Sequence, residues 1–313
     1  MKHFFAVVVT LILTAQGVDL LGRMNQRSQS LQGERQLAWV DRTGQLQGTI
    51  GPRMASILDP SISPDGEKVA VRGREHQTDT DALWILEGTK KRRLTQNKGS
   101  ERHMIWSPDG TMLAYSLQEP GGVSKLFTRA ADGSGVDSPL VVSEGIHKWY
   151  PSWTPKADVV VFHTNNPQTQ ARDLWFVDVS DRKASVLVAD DGIQALARLS
   201  HDGRFVSYQS NQTGKMEIYL TTFPKSDLRV KISEGGGTWA KWSENELFYW
   251  EGNTLVAVTI SDNDGLRIGE KRPLFDGADV GMGANNQMNS YNPEYDVSGD
   301  GTKIVVVQRT PDN

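Results

Sequence analysis

The side chains that could carry out chemistry are scattered through this 313-residue chain and match no catalytic motif. The chain has no cysteine, which excludes disulfides, thiolate zinc sites, iron–sulfur clusters and a cysteine nucleophile. Its six histidines form no His-Glu-x-x-His sequence, and the Gly-x-Ser-x-Gly sequence of serine hydrolases is absent. The Gly-rich loop, His-Arg-Asp and Asp-Phe-Gly sequences of kinases are absent too. We therefore expect no enzymatic activity.

One acidic turn, Asp262-Asn263-Asp264-Gly265, has the start of a calcium loop, because oxygen ligands at alternate positions suit a hard cation. It lacks the glycine at the sixth position and the glutamate at the twelfth position that such loops carry. A turn between two strands explains it more simply. We expect no cofactor, and we keep calcium here as the lesser alternative.

A turn sequence recurs through most of the chain. Ser63-Pro64-Asp65-Gly66 and Ser107-Pro108-Asp109-Gly110 are its clearest copies. Four degenerate copies begin at Thr154, Ser200, Ser243 and Ser298, and successive copies lie 43 to 55 residues apart. Asp-Gly supplies the positive φ of a tight hairpin. The third and fifth copies lack Asp-Gly, so we expect their hairpins to differ.

Each turn is followed by a β-branched or aromatic run such as Ile304-Val305-Val306-Val307, and a third strand-like run recurs after it. Periods of forty-odd residues with this pattern are typical of four-stranded propeller blades. The last copy lacks its third and fourth strands, while residues 37–50 carry an unmatched pair. We predict an all-β, six-bladed propeller, closed by residues 37–50 pairing against 303–308 of the C-terminal blade.

The strand that enters each turn is the innermost strand of its blade, so its early residues should surround the central channel. These residues form a mixed aromatic, cationic and acidic ring, which we predict as the binding site: Asp59, Arg102, His103, Trp149, Tyr150, Gln194, Trp239, Asn292 and Glu294. Such a ring at an open mouth could hold a peptide or a glycan. The alternative is that these side chains only fill the channel and bond to one another or to water.

The first residues have the pattern of an export signal. Lys2 and His3 precede an apolar run from Phe4 to Leu13, and small residues follow at 15 and 17. We therefore predict a signal peptide, or an N-terminal anchor, over residues 1–18, and a periplasmic or otherwise extracytoplasmic protein. Residues 19–36 should be a polar linker, residues 37–310 a single propeller, and residues 311–313 a tail.

The repeated turns resemble those of the TolB-like propellers, in which a Pro-x-Trp-Ser-Pro-Asp-Gly sequence recurs. The best matches are Trp106-Ser107-Pro108-Asp109-Gly110 and Pro151-Ser152-Trp153-Thr154-Pro155, and the resemblance covers roughly residues 37–310. The opening Trp39-Val40-Asp41-Arg42-Thr43-Gly44 is similar to the start of extracytoplasmic propellers of some bacterial receptor-type Ser/Thr kinases. The resemblance implies the fold more firmly than a function.

The expected function is a non-enzymatic protein- or peptide-binding scaffold module of the bacterial cell envelope, whose partner is an envelope protein or peptide. The net charge of −4 excludes a general nucleic-acid binder. A membrane contact is expected only through an uncleaved N-terminal segment. Two alternatives remain: a propeller hydrolase, lactonase or lyase that uses a divalent cation in the channel, and a sensory domain detached from a receptor kinase.

Overall fold

The computed structural model describes residues 33–96, 99–141, 145–262, 265–282 and 292–309, and every structural statement below concerns these residues. The predicted signal peptide, most of the predicted linker, two residues of the acidic turn at 262–265, and the tail lie outside the described residues. In the described part of the chain, no helix is long and apolar enough to cross a membrane.

The structure is built entirely of short antiparallel strands that form six four-stranded sheets, as the repeat predicts. The first two strands, β1 (Arg35–Val40) and β2 (Leu46–Met54), belong to the last blade of the ring. The other five blades each use four consecutive strands. In chain order the strands of blades 1 to 3 are β3 (Ser56–Ile62), β4 (Lys68–Arg74), β5 (Ala82–Glu87), β6 (Lys90–Arg93), β7 (Ser100–Trp106), β8 (Met112–Gln118), β9 (Ser124–Ala130), β10 (Ser138–Pro139), β11 (His147–Trp153), β12 (Val159–Asn165), β13 (Leu174–Asp178) and β14 (Ala184–Val188).

Blades 4 and 5 continue the same pattern. The two inner strands of blade 6 come from the C-terminal part of the chain. Their strands are β15 (Gln194–Leu199), β16 (Phe205–Ser210), β17 (Glu217–Thr222), β18 (Arg229–Lys231), β19 (Thr238–Ser243), β20 (Glu246–Glu251), β21 (Thr254–Ser261), β22 (Arg267–Asp276), β23 (Tyr295–Val297) and β24 (Ile304–Arg309). The innermost strands are β3, β7, β11, β15, β19 and β23, and each contacts the innermost strand of the next blade around the ring.

Blade 6 closes the ring in the predicted way. Its strand order is β2-β1-β24-β23, and β1 pairs with β24 from Arg35↔Arg309 to Val40↔Ile304. The N-terminal strand begins two residues before the predicted boundary, and β2 extends to Met54. Because β1 has a hydrogen-bonded partner on both sides, the two ends of the described chain leave no open seam in this sheet.

Apolar clusters between adjacent blades hold the ring together. Val69 and Val305 lie in the cluster between blades 1 and 6, and Leu247 and Ile218 lie in the cluster between blades 5 and 4. The residues of these clusters are almost completely buried. Burial of this kind contributes about 1.5–3 kcal/mol per large side chain, so the contacts between adjacent blades are a major source of the stability of the ring.

The recurrent turn has a fixed hydrogen-bond pattern. The Ser107 hydroxyl donates to the Asp109 carboxylate at 2.6 Å and accepts the backbone N–H of Met112 at 2.9 Å. The same pair of bonds occurs at Ser200 and Ser298. The hydrogen bond from Ser107 lowers the pKa of Asp109, so the carboxylate stays charged and keeps the turn closed.

The third turn keeps the common backbone but takes its carboxylate from a different position, and the fifth turn differs in its backbone as predicted. Thr154 replaces the serine and donates to Asp158 at 2.5 Å, while Ala157 takes the glycine position with a φ of 56°. In the fifth turn, Ser243 pairs directly with Glu246, which gives a two-residue hairpin. The fifth turn is therefore the one that departs from the common geometry.

Candidate functional site

The six turns lie on one face of the ring, here called the turn face, and the central channel opens on this face as a cavity of about 470 Å³. Every blade contributes one residue two positions before its turn: Ser61, Ile105, Ser152, Arg198, Lys241 and Asp296. Such a volume is within the range of small-ligand pockets, about 300–1,000 Å³. The cavity is therefore large enough for a short peptide segment.

The walls of the cavity combine apolar and polar surface in similar shares. Trp106, Trp153 and Trp242 come one position before their turns, and Pro108 and Pro155 lie at the rim. The indole N–H of Trp106 donates to the Ser61 carbonyl of the preceding blade at 2.9 Å. Trp242 donates in the same way to the Arg198 carbonyl at 3.1 Å. Trp106 and Trp242 thus join neighbouring blades and line the cavity at the same time.

Arg198 is the main cationic group of the cavity. Its side chain is almost buried, at 8% exposure, and its guanidinium carbon lies 5.1 Å from the Tyr150 ring centroid. Nη1 donates to the Pro151 and Ala197 carbonyls at 3.3 and 3.0 Å. Among the described residues, no carboxylate forms an ion pair with Arg198 and no acceptor bonds its other N–H groups. Burial lowers the Arg198 pKa, and Tyr150 and Asp296 oppose that shift.

A second charged feature is the ion pair between Lys241 and Asp296 on adjacent blades. Lys241 Nζ lies 2.9 Å from Asp296 Oδ1, and Asp296 Oδ2 accepts the backbone N–H of Ile62 at 2.8 Å. Burial lowers the Lys241 pKa, and the carboxylate of Asp296 opposes that shift. Arg198 itself has no ion-pair partner among the described residues.

The residues predicted from the sequence lie deeper in the channel, at a backbone irregularity that every complete inner strand shares. A β-bulge follows Leu58, Arg102, Trp149, Ala195 and Thr238, so the next residue has no partner on the second strand. That next residue has a positive φ of 52° to 59° in all five strands: Asp59, His103, Tyr150, Leu196 and Trp239. Glu294 is the equivalent residue of blade 6. We call these six residues the bulge ring.

The bulge ring fills the channel. Five of its members are at most 4% exposed: Asp59, His103, Tyr150, Leu196 and Trp239. Tyr150, Leu196 and Trp239 belong to one buried apolar cluster, and Trp149 packs against that cluster from a half-buried position. The expectation that Tyr150 and Trp239 are exposed at a mouth is therefore wrong, because the channel narrows at the bulge and their rings pack across it. Whether the predicted residues bind a ligand stays a prediction.

The other predicted residues have local partners. Arg102 donates to the Ser100 hydroxyl at 3.0 Å, and Gln194, fully buried, donates to the Asp191 carbonyl at 3.3 Å. Asn292 accepts a hydrogen bond from Arg72 at 3.2 Å. Arg102 and Gln194 are held by these local contacts, and both residues lie beside the bulge ring.

Several buried polar atoms at and beside the bulge ring lack a hydrogen-bond partner among the described residues. Asp59 Oδ2 lies 3.7 Å from Arg72 and accepts the His103 backbone N–H at 3.4 Å, while Oδ1 has no partner among the described residues. Both imidazole nitrogens of His103 and Nε2 of His163 are likewise unpaired there. Burial raises the pKa of Asp59 and lowers the pKa of both histidines well below the ordinary value. The interior of the ring therefore favours neutral groups.

A metal site has no geometric support in the described part of the chain. No group of three or more His, Asp or Glu side chains is placed there to hold a metal ion. The acidic turn at 262–265 is only partly described, so the calcium alternative remains a prediction.

The sequence reasoning identified the correct strands, but it missed Arg198, Lys241 and Asp296. Their signal was available, because each stands two residues before a recurrent turn.

No protein-family model matches the chain. It is 25% identical over 114 residues to the uncharacterized peptidase YuxL of Bacillus subtilis, which covers 34% of this chain and 17% of that protein. It is 23% identical over 133 residues to the uncharacterized protein Atu1656 of Agrobacterium fabrum, which covers 42% of this chain and 44% of that protein. The chain thus spans less than half the length of these relatives.

Solved structures are similar over more of the chain. A putative TolB from Agrobacterium tumefaciens has a TM-score of 0.67 at 19% identity and covers 90% of this chain and 99% of that chain. TolB from Acinetobacter baumannii has a TM-score of 0.55 at 14% identity and covers 86% of this chain and 72% of that chain. An oligogalacturonate lyase in complex with manganese has a TM-score of 0.53 at 13% identity and covers 77% and 67%. At these identities the likeness shows the fold alone, and the chain has the six-bladed β-propeller fold of the TolB structures.

Proposed function

We propose that this protein is a non-enzymatic binding module of the bacterial cell envelope, and that the cavity on its turn face holds a segment of a partner protein. The observation that carries this proposal is the cavity itself. All six blades line it, tryptophan and proline side chains form part of its wall, and Arg198 faces it with N–H groups that no described residue accepts. Aromatic and arginine side chains at the centre of a concave surface are common anchors of protein interfaces.

The bulge ring supports the site from below. Because Tyr150, Leu196 and Trp239 pack across the channel, the cavity has a floor and does not run through the ring. A rigid floor and walls on strands of six different blades favour a preformed pocket, which loses little entropy when a ligand enters.

The location outside the cytoplasm is part of the proposal. It is supported by the charged and apolar pattern of residues 1–18 and by the fold that the chain shares with the TolB structures. A processed N-terminus and recovery of the chain in the envelope fraction would be the expected results.

An enzyme that uses a divalent cation in the channel is the competing function. The similarity of the fold to an oligogalacturonate lyase solved with manganese supports this alternative. Elemental analysis of the purified chain separates the two functions, because a tightly held stoichiometric metal would favour the enzyme and contradict the proposal.

The binding proposal can be tested by obstructing the cavity at its rim. His201 is exposed on the turn face and lines the cavity, so His201→Trp places a large ring over the mouth without disturbing the core. His76 is exposed in the β4–β5 connection on the opposite face, so His76→Trp is the matched control. Immobilised wild-type chain and both variants are incubated with envelope extract, and the captured proteins are identified by mass spectrometry.

The expected result is a partner captured by the wild type and by His76→Trp but lost with His201→Trp. A partner that His201→Trp retains would show that binding occurs elsewhere on the ring. Capture of no partner by any of the three chains would contradict the proposed function.

A further inference from the structure

The floor of the cavity carries an unusual excess of hydrogen-bond donors. Arg198 is 92% buried, and among the described residues only Nη1 of its guanidinium has acceptors, the Pro151 and Ala197 carbonyls. Beside it, Ser152 Oγ accepts the backbone N–H of Leu199 at 3.1 Å. No described residue accepts the hydroxyl hydrogen of Ser152. The other N–H groups of Arg198 are open to the cavity, where an acceptor of opposite charge can bind them strongly.

Asp296 and Asp59 both act on the charge of Arg198 through space, but neither forms an ion pair with it. Asp296 is bound by Lys241 at 2.9 Å and by the Ile62 N–H at 2.8 Å. Asp59 lies with Arg72 and accepts the His103 N–H at 3.4 Å. The unused N–H groups of Arg198 therefore point to a negatively charged acceptor that enters through the cavity.

The shape of the cavity restricts where such an acceptor can be attached. The Tyr150 ring lies directly under the guanidinium, at 5.1 Å, and the packed bulge ring closes the channel below it. A chain that passed through the cavity would need a second opening. A peptide whose C-terminus lies in the cavity needs only the mouth, and its terminal carboxylate then lies near Arg198.

We propose that the cavity recognises the C-terminal carboxylate of a partner peptide, with Arg198 and the Ser152 hydroxyl binding the carboxylate at the floor and the tryptophan walls contacting apolar residues that precede it. This inference rests on the proposed function and names the chemistry of its ligand. Charge-assisted hydrogen bonds from arginine to a carboxylate are among the strongest in proteins.

The test uses the full chain and three synthetic pools of N-acetylated tripeptides. The first pool has Ala, Leu or Phe at each position and a free C-terminal carboxylate. The second pool has the same sequences with a C-terminal amide. The third has a C-terminal amide and Glu at the middle position, so its carboxylate is on a side chain. Binding is measured by saturation-transfer NMR, and affinities of the selected peptides are measured by calorimetry.

The expected result is binding of the free-acid pool, with at least tenfold weaker binding of the amide pool and of the Glu pool. A charged hydrogen bond contributes roughly 1.5–3 kcal/mol, which corresponds to about tenfold or more in affinity. Arg198→Gln keeps a donor for the backbone carbonyls but removes the charge, so it should lose the same factor. Arg267→Gln, at an exposed arginine of the outer strand β22, is the matched control and should bind like the wild type.

The outcomes separate the two proposals. Equal binding of the acid and amide pools, abolished by His201→Trp, would leave the binding function intact and overturn carboxylate recognition. Tight binding of the Glu pool would overturn the assignment to a chain terminus. Failure of every pool to bind would count against both proposals. The comparison of acid with amide uses the wild-type chain, so it remains decisive even if Arg198→Gln does not fold.

Discussion

The His103 imidazole and the Tyr150 ring stack with centroids 3.9 Å apart and planes inclined by 25°, although blades 2 and 3 supply them. The same tyrosine has the His163 ring on another side at 5.7 Å and the Arg198 guanidinium at 5.1 Å. One aromatic ring therefore joins blades 2, 3 and 4 at the axis and forms the floor of the cavity. Packing at the axis and the shape of the candidate site depend on each other.

Truncation of Trp239 should destabilise the protein more than truncation of Trp149. Trp239 is 4% exposed inside the largest apolar cluster, whereas Trp149 only packs against that cluster. Trp239→Ala should lower the free energy of unfolding by about 3–5 kcal/mol, because it leaves a large cavity. Urea unfolding of both variants measures the difference. Equal and small losses would show that the Trp239 ring lies in water, as the sequence alone suggested.

Ring closure can be tested with a disulfide, because the chain has no cysteine of its own. Gln36 of β1 faces Gln308 of β24 in the paired register. Gln36→Cys combined with Gln308→Cys should form a disulfide on oxidation, since antiparallel partners lie within disulfide range. The closed loop is very long, so the bond should stabilise the fold by about 4 kcal/mol.

Non-reducing electrophoresis and melting with and without reductant measure both effects. Gln36→Cys combined with Gln118→Cys is the control, because Gln118 ends a strand of blade 2 and is not a neighbour of β1. A failure of the first pair to form a disulfide would contradict the observed closure.

The fold was largely predictable because its signal is local and repeated. The residues of each Ser-Pro-Asp-Gly turn determine the geometry of its hairpin. Six copies at similar spacing are compatible with few architectures. The unmatched strand pair at residues 37–50 then predicts the partner of β24, which the pairing of Ala38 with Val306 confirms. The third turn keeps the common backbone without a glycine because Ala157 adopts a positive φ of 56°, which alanine favours little and the sequence does not reveal.

The site was less predictable because the direction of a side chain at the axis depends on other blades. Tyr150 is buried by His103 and Arg198, which lie far from it in the chain. The β-bulge also interrupts the alternation of inward and outward residues, so counting back from a turn does not reveal which side chain reaches the cavity. Positions beyond the bulge, such as Arg198, keep the regular alternation and are the better guide.

Ala157 and Gly110 make a matched test of the turn. Gly110 has a φ of 71°, and an added Cβ would meet nothing closer than Pro64 at 3.6 Å. Gly110→Ala should therefore lower the free energy of unfolding by about 1–2 kcal/mol through backbone strain alone. Ala157→Gly relieves the same strain and should raise it by about 0.5 kcal/mol, since the flexible unfolded chain offsets part of the gain. Changes of the same sign in the two variants would contradict the shared geometry.

The free energy of unfolding should decrease as the pH is lowered from 7.5 to 5.5. His103 and His163 are buried, so their pKa values in the fold lie well below the ordinary 6.5 and both rings stay neutral. The unfolded chain takes up these protons first as the pH falls through 6.5. The stability from the neutral rings is thus complete above that pH and is lost below it, at up to about 1.4 kcal/mol per histidine per pH unit.

His163→Asn tests this pH dependence. The His163 Nδ1 atom accepts the Leu196 N–H at 3.4 Å, and an asparagine oxygen can replace that acceptor. The variant should melt lower at pH 7.5 but show a shallower fall in melting temperature towards pH 5.5. The exposed His76→Asn is the control and should follow the wild-type profile. The raised pKa values of Asp59 and Glu294 act in the opposite direction. An unchanged slope in His163→Asn would contradict a buried neutral ring.

The Lys241–Asp296 pair should couple stability to ligand binding. Lys241→Met strands a buried carboxylate and should lower the free energy of unfolding by about 3 kcal/mol, whereas the double variant with Asp296→Asn should recover much of that loss. Asp296→Asn alone releases the Lys241 ammonium beside Arg198, so it should destabilise the fold yet bind the free-acid tripeptides more tightly than the wild type. Calorimetry and urea unfolding of the four chains complete the cycle. If Asp296→Asn weakened binding, Asp296 itself would contact the ligand, and the carboxylate would have to bind away from Lys241.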